Sequence, residues 1–158
     1  MKARVKLSQF SLILTTVINL ALYIGCFATL KEPAQFFCLL GITLALLITF
    51  MLFAPVSIKA DDHTITIVHI LRKTKIPMTD VVSIERFQPT MGAIRICASG
   101  GYVGYWGLFR ESDIGRYTAY YGKASDCFLI VTRSGRKYVL GCSDPDSMVA
   151  YIRSRIKS

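Results

Sequence analysis

With 158 residues, 53% hydrophobic side chains, a mean hydropathy of +0.45 and a formal net charge of +9, the chain has room for one small domain beside a strongly apolar segment. Its basicity comes without a nucleic-acid recognition motif or a dense basic helix, so nucleic acid is not an expected partner. Five cysteines without a C-x-x-C and two histidines without ligand spacing to them give neither a disulfide framework nor a zinc site, and no cofactor or metal is expected.

The chain opens with a short basic tail carrying Lys2, Arg4 and Lys6. Two uncharged apolar stretches follow, residues 10–30 and 34–54, separated only by Lys31, Glu32 and Pro33. At about 1.5 Å rise per residue each stretch covers the roughly 30 Å hydrocarbon layer of a bilayer. Backbone amides in lipid must be satisfied within their own segment, so the pattern predicts a transmembrane helical hairpin, broken at Pro33. A soluble bundle is disfavoured because neither stretch has a polar face to offer water. A cleaved signal peptide is disfavoured because the first run is too long, no small-x-small site closes it and a second span follows at once.

The basic tail predicts a cytoplasmic N-terminus by the positive-inside rule, and two crossings return the chain to the same side. The expected arrangement is an integral protein of the inner or plasma membrane, with the tail and hairpin in residues 1–54 and a cytoplasmic domain in residues 55–158. Of the +9 charge, +3 falls before Pro55 and +6 after it. A basic domain tethered there suits anionic headgroups.

From Pro55 the periodicity shortens to alternation. Val56, Ile58 and Ala60 share a face, Asp61-Asp62-His63 makes a turn, and Ile65, Ile67, His69 and Leu71 alternate with their neighbours, which predicts a β-hairpin. Arg72-Lys73-Thr74-Lys75 reads as a basic turn before Ile76-Pro77. Further strands are predicted at 81–87, 93–98, 116–121, 126–133 and 137–142, with a tight turn at Ser134-Gly135. The cysteines, two in the spans and three in predicted strands, read as small buried thiols. After Ser143-Asp144-Pro145-Asp146, the stripe Met148, Val149, Ile152 and Ile156 predicts an amphipathic C-terminal helix closing one end of the sheets.

The block GGYVGYWGLFRESDIGRYTAYYGKASDCFLIVTRSGRKYVLGCSDPD and the helix MVAYIRSRI after it resemble a bacterial pleckstrin-homology (PH) family, and ADDHTITIVHILRKTKIPMTDVVSIE resembles the first half of the same fold. The resemblance implies an α+β membrane protein: the two-helix hairpin, then a PH-like β-sandwich or barrel of about seven strands capped by a helix. It implies a binding or assembly module and no enzyme activity. Asp61 and Asp62 stand where phosphoinositide-binding relatives carry a basic signature in the first hairpin turn, which argues against specific inositol-lipid recognition.

Two sets of residues are candidate contacts. Tyr102, Tyr105, Trp106 and Phe109, set among Gly100, Gly101, Gly104 and Gly107, form either an interaction loop towards a partner or the bilayer, or a bent strand whose aromatics pack on the sheet. Arg72, Lys73 and Lys75 are candidate lipid-phosphate contacts, and a solvated turn is their bland alternative. No catalytic residue is assigned: no His, Cys and Asp arrangement has a recognisable context, Glu111 and Asp113 read as surface charges, and neither span carries an ionisable acid or base. The expectation is a noncatalytic, membrane-anchored module presenting a β-rich surface to lipid headgroups, a protein partner or a second copy. The alternatives are an accessory subunit of a membrane transporter and an unrecognised membrane-bound enzyme.

Overall fold

The computed structural model describes residues 1–90 and 92–156. In chain order the elements are β1 (Lys2–Arg4), α1 (Gln9–Ala28), α2 (Pro33–Phe53), β2 (Ser57–Ala60), β3 (Thr64–Val68), β4 (Lys73–Pro77), β5 (Val81–Arg86), β6 (Ile94–Gly101), β7 (Gly104–Glu111), β8 (Gly115–Tyr121), β9 (Cys127–Thr132), β10 (Lys137–Gly141) and α3 (Pro145–Ile156).

Both predicted helices form. Ser8 caps α1, accepting at Oγ from the Ser11 amide at 3.1 Å, and Pro33 occupies the first turn of α2, where a missing amide costs nothing. The threonines within these apolar helices donate their hydroxyls to carbonyls one turn back: Thr15 to Ser11, Thr16 to Leu12, Thr43 to Leu39 and Thr49 to Ala45. Each polar side chain is thereby satisfied by its own helix. The rest of the chain leaves α1 and α2 almost uncovered, with 6% and 0% of their most apolar windows buried.

The segment read as a basic tail is partly a strand. β1 pairs antiparallel with β2, setting Lys2 opposite Lys59, Ala3 opposite Ile58 and Arg4 opposite Ser57. The Val5 amide extends this ladder to the Val56 carbonyl at 3.0 Å, the Ser8 amide reaches the Gly122 carbonyl at 2.9 Å, and the Ser143 amide reaches the Arg4 carbonyl at 2.8 Å. Alternation explains the strand: Ala3 is buried while Lys2 and Arg4 point out. The helical hairpin is therefore an excursion between two neighbouring strands. It leaves and rejoins the domain at one place.

The four-stranded first sheet has the order β1-β2-β3-β4 and the six-stranded second sheet the order β5-β9-β10-β8-β7-β6. The described residues thus hold ten strands, against about seven expected. The additions are β1, β4, where the sequence predicts a basic turn, and β7, which corresponds to the bent-strand reading of the glycine-aromatic block. One pairing is parallel: β10 lies beside β8, with Val139 opposite Ala119, because the β9–β10 hairpin folds back into the place next to β8.

The main core lies between the sheets and under α3. It contains Ile58, Ile65, Ile67, Phe128, Ile130 and Leu140, closed by Met148, Val149 and Ile152 from the helix stripe. A second cluster on the other face of the larger sheet gathers Phe109, Tyr117, Tyr121, Cys127, Leu129 and Val139. Glu111 sits there at 4% exposure, contrary to its reading as a surface charge. Its carboxylate accepts from the Thr90 amide at 2.9 Å, from the Thr90 hydroxyl and from the Tyr117 hydroxyl at 3.3 Å, so burial is compensated by three donors. Burial and the neighbouring Glu111 push the Tyr117 phenol up, keeping it a donor. Cys127 and Cys142 are buried as expected, whereas Cys97 is exposed because β6 is an edge strand.

Candidate membrane and partner interface

The end of the domain from which the helices depart is built from several turns. The β6–β7 hairpin ends in Gly101-Tyr102-Val103-Gly104, with φ values of 126° at Gly101, 50° at Val103 and 95° at Gly104. A side chain at Gly101 would strike Leu14 and Phe10 of α1, at 2.9 and 3.0 Å, so glycine is required by both contact and conformation. The Val103 amide donates to Thr15 Oγ1 at 2.8 Å, and the Tyr102 hydroxyl lies 3.4 Å from Asn19 Oδ1. Thr15 and Asn19 stand about 9 and 15 Å along α1 from Gln9, so the turn climbs beside the helix. Asn19 thus meets the β-hairpin, and its amide nitrogen donates to the Thr15 carbonyl at 2.7 Å.

The four aromatics divide between the two faces of the larger sheet. Trp106 faces the helices and stacks on Phe53 at the end of α2, with centroids 5.6 Å apart and planes inclined by 13°. Its indole N–H is buried and has no hydrogen-bond partner among the described residues. Tyr105 lies on the opposite face, stacked on Tyr121 at 4.9 Å. Phe109 stacks on Tyr117 at 5.8 Å and is only 2% exposed, which makes it a core residue and not a surface contact. Tyr102 is half-buried at the tip. Alternation along a paired strand separates these residues, so they do not make one aromatic patch.

The β3–β4 turn stands at the same end. The Leu71 amide donates to the Met51 carbonyl of α2 at 3.1 Å, and the Arg72 guanidinium sits 5.7 Å from the Phe53 ring centroid. Ile70 and Leu71 are 49% and 64% exposed, an apolar tip beside a cation. Buried beneath it, His69 has Nδ1 3.3 Å from the Ala54 carbonyl and Nε2 3.2 Å from Thr74 Oγ1, and burial lowers its pKa.

Lys73 and Lys75 belong to β4 and point away from the core, two residues apart. Strand register brings three more cations onto that outer face. Lys2 is opposite Lys59, Lys59 opposite Thr66 and Thr66 opposite Lys75; in the next row Arg4 faces Ser57, Ser57 faces Val68 and Val68 faces Lys73. The result is a five-cation face without a carboxylate in either row. Lys2 and Arg4 lie more than fifty residues from the other three in the chain, and Lys59 lies fourteen before Lys73, so no local run of charge reveals the set. Their positions in alternating segments were the available signal. The acidic β2–β3 turn lies at the opposite end, where Asp62 meets Arg155 at 3.0 Å and the Tyr151 hydroxyl at 3.2 Å.

The described residues contain no group of three His, Cys, Asp or Glu side chains able to hold a metal ion. No curated protein and no solved structure matches the chain. A family model described as a bacterial PH domain matches residues 56–156, from the start of β2 to the end of α3. That match covers most of the chain, with nine of the ten described strands and the C-terminal helix, and the chain belongs to the bacterial PH domain family.

Proposed function

We propose that this protein is a noncatalytic binding module anchored in the cytoplasmic membrane by α1 and α2, with residues 55–158 as its PH-like domain and the N-terminal strand completing it. The observation that carries this reading is the β1–β2 pairing across the base of the helical hairpin. Two neighbouring strands flank two spans, so the N-terminus and the domain share one side, and Lys2, Arg4 and Lys6 favour the cytoplasmic side. The apolar turn Ile70-Leu71, the cation Arg72 and the tip at Tyr102 then meet the interface, where amphipathic aromatics and cations are favoured. The outward face carrying Lys2, Arg4, Lys59, Lys73 and Lys75 is the surface presented to an acidic partner segment or to anionic headgroups. Tethering raises its local concentration towards anything already at the membrane, so weak contacts suffice.

The uncovered surfaces of α1 and α2 support a second reading, an accessory subunit whose spans pack against a transporter or a second copy. A photo-crosslinking residue in place of Thr64, in intact membranes, tests both. Adducts to anionic lipid or to one stoichiometric protein, lost when the five cations are changed to glutamine, support the binding face. Adducts unchanged by neutralisation count against it, and a co-purifying transporter favours the accessory role.

A further inference from the structure

The outer face of the larger sheet holds a cavity of about 490 Å³ beside the first turn of α1. This is within the range of about 300–1,000 Å³ typical of small-molecule sites. Its floor is aromatic: Phe109 and Tyr121 are almost fully buried, and Tyr105 stacks over Tyr121. Ala93 and Phe10 add apolar wall, and the segment above is pinned by the bonds from Thr90 to the buried Glu111 carboxylate. Among the described residues of the wall, Arg95 and Lys123 alone are charged. Neither is in an ion pair among the described residues, whose salt bridges join Arg86 to Asp146 and Arg155 to Asp62.

We infer that this cavity takes one acyl chain of an anionic phospholipid, with the headgroup phosphate held between Arg95 and Lys123. An apolar volume with two free cations and no carboxylate matches an amphipathic anion. Its wall includes Ser8 and Phe10, the residues at which α1 leaves the domain, so under the anchored reading on which this inference rests the opening lies at the bilayer surface. A chain can then enter from the adjoining leaflet without crossing water. The site is on the side of the larger sheet away from Trp106 and is separate from the basic face of the smaller sheet.

The test uses the full chain in vesicles containing a photoactivatable phosphatidylglycerol with a diazirine in one acyl chain, and a matched phosphatidylcholine probe. Adducts are expected on α1 and α2, and also on Ala93, Tyr105 or residues 121–125. Phosphatidylglycerol should be preferred at the cavity by about tenfold, a preference lost in R95Q/K123Q. Ala93→Trp, or Ala124→Phe if the first variant misfolds by circular dichroism, should remove cavity adducts and spare those on the helices. Adducts confined to α1 and α2 would overturn the cavity assignment while leaving the anchored reading intact. Absence of adducts from the helices as well would overturn both, and equal cavity labelling by the two probes would overturn the role of the cations.

Discussion

The backbone amide of Val103 donates to the side-chain oxygen of Thr15, 88 residues away, at 2.8 Å, and so ties the β6–β7 turn to the first apolar helix. Thr15 itself donates to the Ser11 carbonyl, so its hydroxyl closes a chain of bonds from helix to sheet. Thr15→Val keeps the shape and orphans the Val103 amide. The expected cost is about 1–3 kcal/mol, read as faster hydrogen exchange at Val103 and a lower melting temperature of the full chain in detergent. Unchanged exchange would show that the bond does not couple the two parts.

Val103 adopts φ 50°, a conformation that a β-branched residue rarely accepts. Val103→Gly removes strain on the order of 1 kcal/mol, offset by the added flexibility of the unfolded chain. The expected result is a melting temperature equal to or above that of the parent, whereas the same change at the extended neighbour Tyr105 lowers it.

Lys2 and Lys59 face each other across the β1–β2 ladder, an arrangement of like charges that weakens a strand pair. Lys59→Glu converts repulsion to attraction and should stabilise the fold by about 0.5 kcal/mol. The same change should weaken crosslinking from the Thr64 position. Opposite signs in the two measurements identify a surface kept basic for binding; a loss in both assigns Lys59 to stability alone.

His69 predicts a pH dependence. Burial lowers its folded-state pKa below the ordinary value of 6.5, so the native protein favours neutral imidazole. Between the folded and unfolded values the unfolded chain binds more protons, so stability is full above about pH 6.5 and falls as pH drops towards the folded value. Chemical denaturation at pH 7.5 and at pH 5 should show this loss, and His69→Phe should flatten that part of the profile. An unchanged profile in the variant would assign the pH dependence to other groups.

Much of this architecture is legible in the sequence because its signals are local. Uninterrupted apolar runs predict α1 and α2, alternation predicts β2 and β3, and the Met148-Val149-Ile152 stripe predicts α3. What escapes local reading depends on pairing between distant segments. β1 is three residues long and earns its place only by meeting β2 across the helical excursion. β4 looks like a charged turn because its outward positions are lysines, while Ile76 alone marks its buried side. The cation set at Arg72, Lys73 and Lys75 proved to belong to two places: Arg72 stacks near Phe53, while Lys73 and Lys75 join Lys2, Arg4 and Lys59. In the glycine-aromatic block Phe109 is core, as the bent-strand reading has it, while Tyr102 reaches α1 of the same chain.

The most direct test of the anchored arrangement is labelling of single cysteines in intact bacterial cells with a membrane-impermeant maleimide, the five native cysteines having been replaced. Cysteine at Glu32, in the connector between α1 and α2, should react from outside, and cysteine at Ser134, in the β9–β10 turn, should react only after the membrane is opened. Labelling at Ser134 in intact cells with Glu32 protected would contradict the proposed orientation, and equal labelling at both positions would contradict the two-span anchor.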